Sequence, residues 1–403
     1  MTDAPTVERT RVLAARRAVF LVFAVNGMAF ATWASRIPDA KAALGLTPGA
    51  LGTTLVAGSA GSVLGLLASG WISHRLGPRA SVVLGVLGVT VGLVVMGAGV
   101  TLAHSRLLLG LGLVPLGLCV GIWDVGMNLE GARVEQLLKV AVMPRFHAAF
   151  SGGTVLAALL GALMAGLHVP LLVHFVLAAV VLLAVCLVSV RTFLPHVAPG
   201  SQPQDAQTPR GGVFAAWSEP RTLVIGLVVL VAAFTEGTAN DWVSVAFHEG
   251  YGVPTWAGVL AFAVFLGSMT VGRWVGTSWL ERWGRVPVLR VTLGLAAVGS
   301  VLVVLGPAPL AYVGAAVWGL GVSLGFPVGM SAAADDPRRA AGRVSVVATI
   351  GYTAFVLGPP FLGYLGDHVT VLKALTAVGA LVLPALLLVP ALREPAGTRP
   401  APH

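Results

Sequence analysis

The sequence predicts an all-α membrane protein of twelve transmembrane helices in two pseudo-symmetric six-helix halves. Three observations carry this. Of 403 residues, 57% are hydrophobic and 10% charged, against roughly 25% charged in a soluble domain. Apolar runs of about 18 residues or more recur along the chain, the mark of spanning helices rather than buried core helices. One long polar stretch, PHVAPGSQPQDAQTPRGG at 195–212, divides the runs into two groups.

The spans are expected at 17–35, 50–72, 80–99, 105–128, 145–167, 170–190, 221–240, 254–277, 286–306, 309–330, 343–365 and 370–391. A rise of 1.5 Å per residue makes about 20 residues enough for a hydrocarbon core of about 30 Å. The tail 1–16 ends in VERTRVLAARR. The run after it is too long for a signal-peptide core and lacks a small-residue cleavage site, so it reads as a retained first span. The halves are then 17–190 and 221–392, joined by a linker at 191–220 rich in Pro, Gly, Gln and Ser, with a tail at 393–403. With a cytoplasmic N-terminus, the tails and the loops on that side hold 20 of the 25 Lys and Arg. The opposite loops hold Arg36, Lys41, Arg106 and Lys373, and Arg273 lies within a span. This positive-inside bias puts both termini in the cytoplasm. The expected location is the inner or plasma membrane.

The net charge of +9 is not gathered on one element, so no nucleic-acid partner is expected. Cys119 and Cys186 both sit in apolar runs and read as packing residues, with neither a disulfide nor a metal site implied. No Walker-type loop, nucleotide domain or heme ligand pair is present. That excludes ATP-driven and redox machines and leaves no cofactor expected. The expected partners are the lipid bilayer, a small solute and H+, and the expected state is a monomer.

After the second span comes GWISHRLGPR, Gly70 to Arg79. Gly70 is expected to let helices approach, Gly77 to make a tight turn, and Arg75 and Arg79 to hold the cytoplasmic face. Their plainer role is that of positive-inside anchors. GTSWLERWGR, Gly276 to Arg285, follows span eight, with Glu281 and Arg282 ahead of Gly284 and one more residue between the first Gly and the Arg. Related loops at equivalent places in the two halves support an internal repeat.

The first loop resembles the signature Gly-x-x-x-Asp-Arg-x-Gly-x-Arg of the major facilitator superfamily, with His74 where an acid is usual. Six plus six spans about a central linker is also that superfamily's layout. The stretches ASRIPDAK, EGTANDW, SMTVGRW, WGLGVSLGFP, RVSVVATIGYTAFVLGPPFLGYLGD and VGMNLEGARVEQ with MPRFHAAFSGG resemble its YbjJ-type inner-membrane branch. The resemblance covers essentially all twelve spans. It implies a carrier distantly similar to proton-coupled sugar symporters and names no substrate.

Ionisable residues inside spans cost about 2.5–3.5 kcal/mol on insertion scales and usually face a cavity or a partner. Glu236 and Asp124 are the clearest and are the proton-coupling candidates. Glu236 stands about 22 Å along its span from Arg221, in the outer third, with Asn240 one turn on. Its alternative is an ion pair or helix-end hydrogen bond that closes an outer gate. Asp241 reads as a solvated or gate-pairing residue nearer the rim. Asp124 and Asn128 share a face near the inner end of span four; an acid followed by Asn there resembles sugar–proton symporters, and pairing with an Arg is the alternative. His147 and Ser151, one turn apart at the start of span five, are placed with them in an inner polar cluster. Asn26, Trp318 and Tyr352 fall near the midplane and join Asn128 and Asn240 as substrate-binding candidates, with ordinary packing as their alternative. Arg273 needs an acid or carbonyl partner, for which Asp124 and Glu281 are candidates.

The function these residues favour is secondary transport by alternating access, proton-coupled, of a small polar solute such as a sugar or related metabolite, with no enzymatic activity. Span five, FSGGTVLAALLGALMAG, lacks the Gly-Pro pair expected there in drug–proton antiporters. Proton-driven efflux of amphipathic compounds is therefore the second reading. A third is an intramembrane hydrolase using Ser151 and His147, which lacks a Gly-x-Ser-x-Gly elbow and leaves the repeat unexplained.

Overall fold

The structure, a computed structural model, describes residues 4–140, 142–195, 216–336 and 339–394. Most of the expected linker, the first residues of the N-terminal tail and most of the C-terminal tail lie outside them. The described residues are helical nearly throughout: α1 (Ala4–Ala34), α2 (Ile37–Ala43), α3 (Pro48–Thr101), α4 (Arg106–Leu138), α5 (Met143–Gly166), α6 (Leu171–Ser189), α7 (Pro220–Tyr251), α8 (Thr255–Trp283), α9 (Arg285–Leu305), α10 (Ala308–Val322), α11 (Gly325–Ala333), α12 (Ala340–Val369), α13 (Val371–Ala374) and α14 (Thr376–Leu388). Two 3₁₀ turns follow α6 and α14.

Among the described residues, eleven helical segments are long and apolar enough to cross a membrane. This differs from the expected twelve because 50–72 and 80–99 lie in one unbroken segment, α3, of 54 residues, in which two helices meet at a kink. At 1.5 Å per residue, 54 residues would reach about 80 Å, more than twice a bilayer core of about 30 Å. Gly77 breaks that length with φ 78° and ψ 166°, a conformation open essentially to glycine alone. Gly284, between α8 and α9, has φ 79° and ψ 170°. The two loops singled out in the sequence thus turn on a glycine of the same backbone shape.

Helix starts follow ordinary capping chemistry. The Thr47 hydroxyl accepts from the Ala50 amide at the head of α3 (3.2 Å), and Ser105 accepts from Leu108 at the head of α4 (3.3 Å). Proline occupies the first turn of α3, α5 and α7, where its missing N–H costs nothing. Gly252 ends α7 in the left-handed conformation.

The chain divides into two compact units, 1–203 with 254–260, and 204–253 with 261–403. In the first, α1 lies against α5 so closely that a Cβ on Gly27 or Gly153 would clash with the backbone carbonyls of Phe150 and Ala24. Small residues at such crossings supply the packing that lipid gives no hydrophobic reason for. In the second, Gly319 sits against the Phe265 backbone, and Trp318 beside it is fully buried. Gly70 does not behave as expected. It is exposed, and a side chain there would touch nothing within 4 Å. Close approach on this helix is made at Gly61 and Gly65, against the α4 backbone at Val114 and Leu118.

Candidate functional site

The polar stretch of α7 is not a helix end. The helix runs on to Tyr251, with Trp242, Val243, Val245, Ala246 and Phe247 fully buried. Glu236 therefore stands near its midpoint, 16 residues after Pro220 and 15 before Tyr251, rather than in an outer third. Polar residues at 235–241 lower the local hydropathy, which made the span read too short. Glu236 is bound: its Oε1 accepts a hydrogen bond from Arg273 Nη2 of α8 at 3.1 Å. The expected partners of Arg273, Asp124 and Glu281, are replaced by an acid on the preceding helix of the same unit. Glu281 is exposed.

Around this pair α7 carries polar groups without partners among the described residues. Thr238 Oγ1, Asn240 Oδ1, Trp242 Nε1 and Ser244 Oγ are buried and unbonded, although such atoms cost free energy when left unsatisfied. Asp241 lies ten residues inside the helix end, half-buried, and its carboxylate makes no hydrogen bond or ion pair among the described residues. Its place deep within the helix departs from the rim position expected for it. Trp318 Nε1 on α10 is likewise unbonded, its ring edge-on to Phe265 at 6.1 Å. Tyr352 lies half-buried between Phe326 and Phe355.

In the first unit Asn26 is completely buried on α1, and neither atom of its amide has a partner among the described residues. Trp123 Nε1 on α4 is also unbonded. Asn128 donates to the backbone carbonyl of Asp124, one turn back, at 2.8 Å. No basic side chain pairs with Asp124 among the described residues. His147 is exposed with its ring edge-on to Phe23 at 5.2 Å, while Ser151 is buried. Among the described residues no hydrogen bond joins Ser151 to Asp124 or Asn128.

The model of the Major Facilitator Superfamily matches residues 19–359. The chain belongs to the major facilitator superfamily. It is 29% identical over 386 residues to the uncharacterised transporter y4wD of Sinorhizobium fredii, covering 95% of this chain and all of that one. It is 30% identical over 373 residues to an uncharacterised MFS-type transporter of Yersinia pestis, covering 90% and 92%. Among solved structures, the nucleoside transporter NupG superposes with a TM-score of 0.74 at 14% identity, over 95% of this chain and 98% of that one. The xylose transporter XylE from E. coli superposes at 0.69 and 14%, over 94% and 97%. At such identities the structures speak to fold alone. As a superfamily member the protein is a secondary active transporter working by alternating access, and not an enzyme; the hydrolase reading lapses.

Two groups of charges in this facilitator were not foreseen. At the end of the second unit where α7 begins, Arg285 binds Asp335 (2.7 Å) and Ser331 (3.1 Å), and Arg221 binds the other Asp335 oxygen (2.9 Å). Beside them Glu219 accepts from Arg343 (2.6 Å) and Arg339 (3.1 Å). The Arg343 hydrogen bond holds the Glu219 carboxyl below its ordinary value, with burial opposing and Thr222 and Arg339 assisting. The dense ADDPRRAAGR run was the available signal. In the first unit, fully buried Glu130 accepts from the Leu194 amide (2.6 Å), and Glu135 caps α5 through the amides of Val142 and Met143 (2.6 and 2.7 Å). The signature loop itself is sparse. Arg75 lies over Trp71 (5.6 Å), Arg282 over Trp283 (5.5 Å), and His74 and Arg79 are exposed, without an ion pair among the described residues.

Proposed function

We propose that this facilitator carries a small polar solute, such as a sugar or related metabolite, in symport with protons. The observation that carries the reading is the polar interior of α7: an acid held by an arginine at Glu236–Arg273, a second acid without a partner at Asp241, and four unbonded buried polar atoms beside them. Neutral donors and acceptors left open deep in a spanning helix suit a hydroxyl-rich ligand. Asn26 and Trp123 in the first unit, Asn128 on α4, and Trp318 and Tyr352 in the second are the further binding candidates. Glu236 and Asp124, joined now by Asp241, are the coupling candidates, because an intramembrane acid gains and loses a proton as its access to water changes. That the D-xylose–proton symporter shares the fold is in keeping with this reading.

The same proposal counts twelve spans, α3 supplying two on either side of Gly77, with six in each of the halves 17–190 and 221–392. It also takes the protein as an inner-membrane monomer of the YbjJ-type branch with both termini in the cytoplasm, an orientation that the Lys and Arg bias supports. Reconstitution in liposomes tests the function, with proton currents recorded on addition of sugars, sugar acids, nucleosides, amino acids and amphipathic drugs. A current evoked by one polar class, lost in Glu236→Gln, Asp241→Asn or Asp124→Asn, is expected. Current with amphipathic drugs alone would reassign the protein to efflux, and wild-type currents in all three variants would make the acids structural.

A further inference from the structure

Along α7 from Val231 to Phe247 every residue is buried except two, Glu236 and Asp241. The two acids are the places where this stretch stays open to a small particle. Arg273 answers the first at 3.1 Å. Among the described residues no cation answers the second.

Asp241 does not stand alone on its face. Gly237, Asn240, Asp241 and Ser244 occupy positions i, i+3, i+4 and i+7, one side of the helix. Gly237 adds no side chain there, and a Cβ on it would stand 3.1 Å from the Phe355 ring of α12. Helical side chains lean toward the preceding turn, so Ser244 lies over the turn that carries Asn240 and Asp241. Ser244 is 1% exposed and Asn240 9%. Ser244 Oγ and Asn240 Oδ1 have no partner among the described residues. One face thus gathers a carboxylate and two neutral oxygens, all open to accept, where an unmet buried acceptor costs free energy.

The basic residues of the helices around α7 are committed or placed elsewhere. On α7 itself, Arg221 binds Asp335 at the helix start, and His248 Nδ1 lies 2.8 Å from the Val253 carbonyl. On α8, Arg273 holds Glu236 and Arg282 is exposed over Trp283. On α12, Arg343 binds Glu219, and exposed His368 has its Nδ1 at the Tyr364 carbonyl. Lys373 of α13 is exposed, and α10, α11 and α14 carry no basic residue.

A positive charge is what satisfies a carboxylate and two neutral oxygens together. A divalent ion would keep half its charge unmet, because the Glu236 carboxylate is engaged by Arg273. Hard monovalent ions take oxygen ligands, and a primary ammonium donates three hydrogen bonds. We propose that Asp241, Asn240 and Ser244 form a binding site for a monovalent cation, either an alkali-metal ion or the protonated primary amine of a solute. The part this cation plays in transport rests on the function proposed above; its binding does not.

The test is the unfolding of the purified full chain in mixed detergent micelles at pH 8. NaCl, KCl, LiCl or methylammonium chloride replaces choline chloride at constant ionic strength, choline having no N–H to donate. A cation held only by the folded chain raises the folding constant by the factor 1 + [cation]/Kd, about tenfold at ten times Kd. Wild type is expected to show this saturable rise and Asp241→Asn to lose it. A rise with an alkali ion assigns an inorganic co-ion; a rise with methylammonium alone assigns an amine on the solute. No rise over choline in wild type, or an equal rise in Asp241→Asn, overturns the site. Should Asp241→Asn not fold, Asn240→Val and Ser244→Ala decide. Each removes one oxygen and should raise the half-saturating concentration about tenfold; unchanged values in both refute the site. No transported solute enters these readings, so a failed transport assay and an absent cation site give different results.

Discussion

Glu236→Gln and Arg273→Gln, made singly and together, measure the pair that holds α7 to α8. Two unit charges 3.1 Å apart attract by about 5 kcal/mol at an effective dielectric near 20, and by about 1.3 kcal/mol at that of water. Glu236 keeps 15% of its side-chain exposure and Arg273 34%, so solvent screens the attraction in part. Taking both charges out of water offsets a further share. The expected coupling is about 1–3 kcal/mol. Each single variant strands the other partner, so the double variant should lose less than the two singles added. The assay is unfolding in mixed detergent micelles at pH 7, followed by tryptophan fluorescence. Coupling below about 0.5 kcal/mol would show that Arg273 is held by something other than Glu236, and the account of the α7–α8 contact would be wrong.

Gly77→Ala and Gly284→Ala should each cost about 1–3 kcal/mol, because both turns use backbone angles closed to a side chain; equal stability to wild type would show that the turns relax. Gly70→Ala, with open space around it, should change unfolding by less than about 0.5 kcal/mol. Glu219 contributes stability above its ordinary carboxylate value, and loses it as pH falls through the lower folded value that Arg343 imposes. Wild type should therefore lose up to about 1 kcal/mol more than Glu219→Gln between pH 6 and pH 3, a modest figure because the site is open to solvent. Asn26→Leu removes a fully buried amide that bonds to none of the described residues and should stabilise the protein by about 1–3 kcal/mol. It should abolish solute-evoked current if that amide serves the solute, and unchanged current would return Asn26 to packing.

The spans were legible because hydropathy and length answer one question: whether a segment tolerates lipid. What they do not report is continuity. The breaks at Gly77 and Gly284 could be placed from two loops of similar sequence, but at Gly77 two helices meet with no intervening loop, so a count by apolar runs and a count by helical segments differ. The extent of α7 was misjudged for a related reason. Hydropathy averages over all faces of a helix, and polar residues at 235–241 lowered the average although the segment continues, buried, to Tyr251. A lowered average inside a spanning helix marks a polar interior as readily as it marks an end.

The candidate site was legible by residue type and not by partner. Glu236 and Arg273 were each recognisable as costly inside lipid, but their pairing depends on how α7 and α8 are rotated about their own axes, which a periodicity of 3.6 leaves open when apolar residues surround the helix. Asp241 shows the same limit from the other side: five residues from Glu236, it faces differently and finds no cation. Arg273 sets a positive charge 3.1 Å from the Glu236 carboxylate. Asp241 has no such support among the described residues, so its charge must come with water or a bound cation. Of the two acids, only Glu236 has a cationic partner among the described residues.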